Sequence, residues 1–247
     1  MKPGADAGGC FPTGRHYPGI AHLLKVTTEG LADDWSEETP MAELPVVALD
    51  TETTGRDPEK DRIIEFGCVV WRAGKVERRH NWLINPGFPI PAEAQAVHGI
   101  SDEQVADCPS FAELADEILE ALEGAVPLAY NAEFDRNFLL AELRRCGPQL
   151  GGLPPAARPS VTWLDPLAWA REIQANEKSR ALGDVCARLG IELDQAHRAS
   201  HDAEAALKVH LAFIDHPSVP RSYAAFVAEQ TRLDRKFAEQ RQRWRKR

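Results

Sequence analysis

Asp50 and Glu52, one residue apart in the stretch VVALDTETTG that starts at Val46, are the first residues whose types and spacing could do chemistry. Four apolar residues run straight into them, the pattern of a strand buried on both faces. Side chains alternate along a strand, so the two carboxylates project from the same face. At about 4 Å and an effective dielectric near 20, two like charges repel by roughly 4 kcal/mol. A hard divalent cation with oxygen ligands relieves that repulsion; a solvated acidic turn would relieve it equally. Two further acids lie on apolar helical stripes, Asp135 with Phe138, Leu139 and Leu143, and Asp202 with Ala206, Val209 and Phe213. A carboxylate on an inward face needs a partner, ordinarily a lysine or arginine, because a buried unpaired charge costs several kcal/mol. His197 precedes Asp202 in HRASHD, and a neutral imidazole beside a metal-bound water could serve as a general base. His197 and His201 are also spaced i, i+4 as in a zinc helix, but Arg198 stands where H-E-x-x-H requires glutamate.

These residues need a frame. Strand patterns cover 62–71 and 76–84 with a hairpin turn at Ala73-Gly74, followed by a break at Pro86–Pro91, and VHGISDEQV from Val97, with His98, suits a turn leading into a short helix. Ser110 and Glu113 form a capping box for a helix that Gly124 stops. A second buried strand is expected over 125–130, then a helix capped by Asn131 and ending at Gly147, then a strand over 161–164. Asp165-Pro166 reads as an N-cap with proline at the first helical position. Helices over 182–189 and 200–214 complete the order β-β-β-α-β-α-β-α-α, an α/β fold with a mixed sheet covered by helices.

The chain of 247 residues holds one sizeable domain plus extensions, and has no apolar run near the roughly 18 residues that span a bilayer. Its first residues lack the apolar core of a secretory signal, and its five cysteines form no C-x-x-C pair, so reduced thiols and a cytoplasmic location are expected. Residues 1–43 read as a mobile leader. Net charge is −9, yet residues 221–247 carry nine Lys/Arg against three Asp/Glu. A basic helix there, in a C-terminal extension of residues 216–247, could contact nucleic acid backbone, dock on a DNA polymerase or simply be solvated.

Taken together, D-x-E at 50–52, N-A-x-F-D at 131–135 and H-x-A-x-x-D at 197–202 resemble the DEDDh (DnaQ-like) family of 3′→5′ exonucleases, over roughly residues 44–214. Arg62-Ile-Ile-Glu65, Val97-His98-Gly99-Ile100 and the helix through Gly190 extend the likeness between the motifs. The resemblance implies an RNase H-like five-stranded sheet of order 3-2-1-4-5 and two divalent cations, Mg2+ or Mn2+. Asp50 would bridge the two ions, Glu52 and Asp202 complete one, and Asp135 hold the other. His197 would deprotonate the attacking water. Val97, His98 and Phe134 match positions that contact the terminal nucleotide, Thr53 lies near the 3′-hydroxyl, and Asn131 belongs to the same motif. Four carboxylates and two divalent ions sum to zero charge, so a phosphodiester would not be repelled. The expected activity is release of nucleoside 5′-monophosphates from single-stranded or frayed 3′ ends. The alternative is a non-catalytic nucleic-acid-binding or scaffold module on the same fold. DNA and RNA are equally compatible with these residues.

Overall fold

The computed structural model describes residues 29–147, 152–192 and 198–245. Three strands, β1 (Val46–Thr53), β2 (Ile63–Arg72) and β3 (Lys75–Leu83), form an antiparallel meander, and β4 (Val126–Leu128) adds to β1 in parallel, giving the order β3-β2-β1-β4. The β2–β3 turn is Ala73-Gly74, both at positive φ (50° and 79°), as a two-residue hairpin loop requires.

Among the described residues eight α-helices accompany the sheet. They are α1 (Ala92–His98), α2 (Asp102–Val105), α3 (Phe111–Ala121), α4 (Glu133–Cys146), α5 (Pro166–Ile173), α6 (Leu182–Leu189), α7 (Ala199–Ile214) and α8 (Tyr223–Arg245). Gly99 in the left-handed conformation closes α1, so Val97 and His98 end a helix rather than lie in the turn expected there. Ser110 and Glu113 make the reciprocal capping box at α3, and Gly124 turns the chain at φ 63°.

The two faces of β1 have different cores. Val46 and Ala48 join the cluster that contains Ala203, Ala206 and Val209 of α7, while Val47 and Leu49 join Phe111 and Ile118 of α3 and Phe138 and Leu139 of α4. The period of two continues past the apolar run. Even positions 50 and 52 are directed to the α7 side and Thr51 to the α4 side.

Among the described residues the sheet has four strands, not the five expected. The segment 161–164 contributes only Leu164, a single parallel bridge to Leu128. Two causes are local: the Thr162 N–H donates to the Gly30 carbonyl instead of to the sheet, and Pro166, which has no N–H, begins α5 two residues after the bridge.

Residues 29–43 and α8 share the core of residues 44–215. Pro40 and Ser222 form an antiparallel bridge, the Met41 N–H donates to the Arg221 carbonyl, and the Ala32 N–H donates to the Tyr223 hydroxyl at 3.0 Å. Tyr223, Phe226, Val227 and Leu233 recur at helical spacing and are buried in the α7-side cluster. Residues 1–28 of the expected leader lie outside the described residues. Among the described residues no helix is long and apolar enough to cross a membrane, and Cys68, Cys108, Cys146 and Cys186 are free thiols.

Candidate active site

Where β1 runs out of apolar residues, Asp50 and Glu52 face the first turn of α7, and Asp202 meets them there. One carboxylate oxygen from each of Asp50, Glu52 and Asp202 lies within 4.8 Å of the others. Two features of β2 bring α7 so close. Gly67 is the cross-strand partner of Asp50, and a Cβ on it would stand 2.1 Å from the Ser200 nitrogen. The backbone of α7 therefore rests directly on the backbone of β2. Glu65, paired with Glu52 across the strands and fully buried, accepts the Ala199 N–H at 3.2 Å and the Asn81 amide at 2.8 Å. The Arg198 guanidinium approaches it at 3.4 Å.

Asp135 arrives from the other side. It occupies the first turn of α4, is 3% exposed, and accepts the Thr51 hydroxyl at 2.8 Å. The far part of α4 is fixed to β2 by a forked pair between Arg62 and the buried Glu142, at 2.7 and 2.8 Å.

The electrostatics follow from desolvation and from the like charges of neighbouring acids. Among the described residues no ion pair reaches Asp50, Glu52 or Asp135. Burial first, then the charges of Asp135, Glu52, Asp202 and Glu65, hold Asp50 well above the usual carboxylate range. Glu52 is pushed up to about 7 by burial and then by Glu65, Asp202 and Asp135. Asp135 also reaches about 7, burial outweighing the lowering by its Thr51 hydrogen bond. A protein keeps such acids together at a free-energy cost unless a cation is held between them. Hard oxygen donors without sulfur or described nitrogen ligands fit a magnesium-type ion.

The remaining residues singled out in the sequence surround this cluster unevenly. His197 lies outside the described residues. His98 is 7% exposed, and its Nδ1 accepts the Ile100 N–H at 3.0 Å. That bond assigns the proton to Nε2, a buried donor with no partner among the described residues, and burial lowers the pKa of the ring. Val97 is an exposed apolar side chain at 62%. Phe134 is half-buried against Phe138, with ring centroids 4.9 Å apart. The Thr53 hydroxyl donates to the Gly55 carbonyl at 2.6 Å. Asn131 is not the helix cap expected: it takes φ 71°, a left-handed conformation asparagine tolerates, and Ala132 stands at the cap position of α4.

Asp165 caps α5 by accepting the Leu167 N–H at 2.9 Å, as its place before proline implies. It accepts the N–H groups of Asn131 and Ala132 as well, at 3.0 and 3.3 Å. Sequence reasoning gave that second role to no residue, and gave Glu65 no role of its own; the one signal for Glu65 is a carboxylate inside the apolar run IIEFGCVV.

Comparison with known proteins is consistent with this geometry. The family model described as Exonuclease (RNase T) matches residues 47–210. The chain is 35% identical over 159 residues to the "3'-5' exonuclease DinG" of Bacillus subtilis, covering 64% of this chain and 16% of that protein. It is 32% identical over 171 residues to the "DNA polymerase III subunit epsilon" of Treponema pallidum, covering 68% of this chain and 76% of that one. A PolC-type DNA polymerase III of Streptococcus thermophilus is 31% identical over 179 residues, of which the chain spans 12%. Among solved structures, exonuclease X bound to 5′-overhanging duplex DNA superposes with a TM-score of 0.57 at 22% identity, over 75% of this chain and 99% of that one. Escherichia coli exonuclease I with a dT13 oligonucleotide gives 0.58 at 21% identity, over 69% and 40% of the respective chains. At these identities the structural likeness establishes the fold.

Proposed function

The chain belongs to the exonuclease family whose model spans residues 47–210, and on that premise we propose that it is a metal-dependent 3′→5′ exonuclease acting on single-stranded or frayed ends. The observation that carries this reading is the meeting of the half-buried Asp50, Glu52 and Asp202 within 4.8 Å at a strand end that has the buried Asp135 behind it.

In this reading Asp50, Glu52 and Asp202 would hold one divalent cation, and Asp50 and Asp135 would offer oxygens to a second. When bound, Mg2+ or Mn2+ would supply charge neutralisation and lower the pKa of water at the site. The protein's own groups do the rest. His197 takes the proton from the attacking water. The exposed Val97 and the half-buried Phe134 offer an apolar seat for the terminal base, which stacking makes indifferent to sequence. The Nε2–H of His98 is a preformed donor for an oxygen of the terminal nucleotide. Thr53 and Asn131 complete the pocket around the sugar and its 3′-hydroxyl. Exonuclease I with a dT13 oligonucleotide and exonuclease X with 5′-overhanging duplex DNA are solved complexes, which supports a nucleic acid end as the substrate. The epsilon-subunit relative supports a DNA polymerase as the partner.

The test is release of nucleoside 5′-monophosphates from the 3′ end of matched single-stranded DNA and RNA oligonucleotides, with products resolved by length. Magnesium-dependent shortening that disappears in Asp50→Ala is the expected result. Shortening that survives Asp50→Ala rejects the assignment, and binding without hydrolysis in either Mg2+ or Mn2+ favours a non-catalytic module instead.

A further inference from the structure

We propose that the C-terminal helix α8, beyond the residues the family model matches, is a positioning element of the catalytic centre, acting through Gln230 and Asp165 on the turn that aims Asp135. This rests on the exonuclease reading above.

The start of α4 is not held by its own sequence. Its cap position is Ala132, which makes no side-chain cap, and the preceding Asn131 is in a left-handed conformation at φ 71°. What holds the turn is the carboxylate of Asp165, which takes the N–H groups of both Asn131 and Ala132 at 3.0 and 3.3 Å. Asp135 is the third residue of the helix that begins there, so the orientation of its carboxylate is inherited from this turn. On one side the turn borders a cavity of about 380 Å³, also lined by Arg136, Arg171 and Arg241, rather than a packed neighbour. Hydrogen bonds, not packing, fix it on that side.

Asp165 is itself held by α8. Its backbone N–H donates to Gln230 Oε1 at 2.8 Å, and Gln230 Nε2 donates to the Trp163 carbonyl at 2.9 Å. Gln230 is 1% exposed, and both ends of its amide engage the backbone on either side of Leu164. Leu164 in turn donates to the Pro127 carbonyl at 2.9 Å and accepts the Ala129 N–H at 3.1 Å. The segment 163–165 is therefore clamped between β4 and α8. Hydrogen bonds join Gln230 to Asp165 and Asp165 to the Asn131–Ala132 turn, and Asp135 follows three residues after Ala132 on the helix that starts there, its Oδ1 accepting the Thr51 hydroxyl of β1. Displacing α8 displaces one wall of the carboxylate cluster.

The full chain with Gln230→Met, which keeps the length and loses both hydrogen bonds, tests this. We expect kcat on a single-stranded oligonucleotide to fall at least about tenfold and half-saturating Mg2+ to rise at least about fivefold. KM for the oligonucleotide should stay within about twofold. Asp165→Asn, which keeps one oxygen, should move the same quantities further. Gln230→Glu, which keeps an acceptor for the Asp165 amide, should lie between and serves if Gln230→Met does not fold. Val227→Ala, in the same helix and buried in the core without touching the relay, should lower the melting temperature while leaving kcat and the Mg2+ response of the folded protein unchanged. Calorimetric Mn2+ titration gives a readout without turnover, and Gln230→Met should weaken binding about fivefold. Unchanged Mn2+ affinity and Mg2+ response in Gln230→Met, or an equal change in Val227→Ala, overturns the proposal. A wild-type protein that releases no nucleotide but shows the Mn2+ difference refutes the exonuclease reading and leaves the relay standing.

Discussion

Asp50→Asn should abolish hydrolysis and at the same time stabilise the metal-free protein. Oxygens of Asp50, Glu52 and Asp202 lie within 4.8 Å of one another. At about that separation and an effective dielectric near 20, each pair of ionised groups repels by about 3.5 kcal/mol. Asp50 also faces the charges of Asp135 and Glu65. Proton uptake relieves part of this repulsion, with Asp50 held well above the usual carboxylate range and Glu52 and Asp135 brought to about 7, but taking up protons at pH 8 is itself costly because the unfolded carboxylates are ionised there. Replacing Asp50 with an isosteric amide should therefore recover about 2–4 kcal/mol, or roughly 4–16 °C in melting temperature for a chain of this size. The pH dependence has a definite sign. Folded-state pKa values raised above the unfolded ones mean that the native state holds the extra protons between about 4 and 7. The associated stability is full below the unfolded values and lost as pH rises through about 7. The assay is thermal unfolding in chelator from pH 5 to pH 8, repeated with millimolar Mg2+. Wild-type protein should lose stability with rising pH and regain it with Mg2+, while Asp50→Asn should show a flatter profile and little response to the ion. A variant that melts no higher than wild type in chelator at pH 8, or that keeps the full Mg2+ increment, would refute the charge argument.

Three further outcomes follow from single contacts. Gly67→Ala should destabilise the protein by about 1–3 kcal/mol or more, since its Cβ would lie 2.1 Å from the Ser200 backbone; chemical denaturation measures it, and nucleotide release should drop as Asp202 is pushed away. Glu65→Ala leaves the buried Ala199 N–H without its acceptor, at about 1–3 kcal/mol, and frees the exposed Asn81 amide to solvent; urea unfolding with unchanged stability would show that α7 is held by other means. Phe134→Ala removes a stacking surface worth about 1–3 kcal/mol per base, so oligonucleotide KM should rise roughly five- to 150-fold in steady-state kinetics with little change in magnesium requirement.

Local chemistry in the sequence was legible wherever a side chain acts on its own neighbourhood. The capping box at Ser110, the hairpin at Ala73-Gly74 and the limits of α6 follow from residue types a few positions apart. The placement of Asp50 and Glu52 on one face followed from strand periodicity alone. What could not be read is carried by partners far apart in the chain. Asn131 looks like a cap, and only Asp165, 34 positions later, makes it a held turn instead. Residues 29–43 resemble a leader because their partner is α8, with Ala32 and Tyr223 separated by 191 positions. The basic second half of α8 masks the apolar stripe of its first half. The fifth strand fails because Gly30 competes for Thr162, a contact that no period of two or 3.6 encodes.

Gly67 has a consequence for how this cluster can vary. Because the first turn of α7 rides on bare main chain there, the gap between the sheet and the helix carrying Asp202 is set by the thickness of two peptide planes. Volume changes elsewhere in the core, which ordinarily shift a helix by the width of a methyl group, meet a hard stop at this point. The interior of the molecule is thus free to drift in composition while the spacing of its acids stays put.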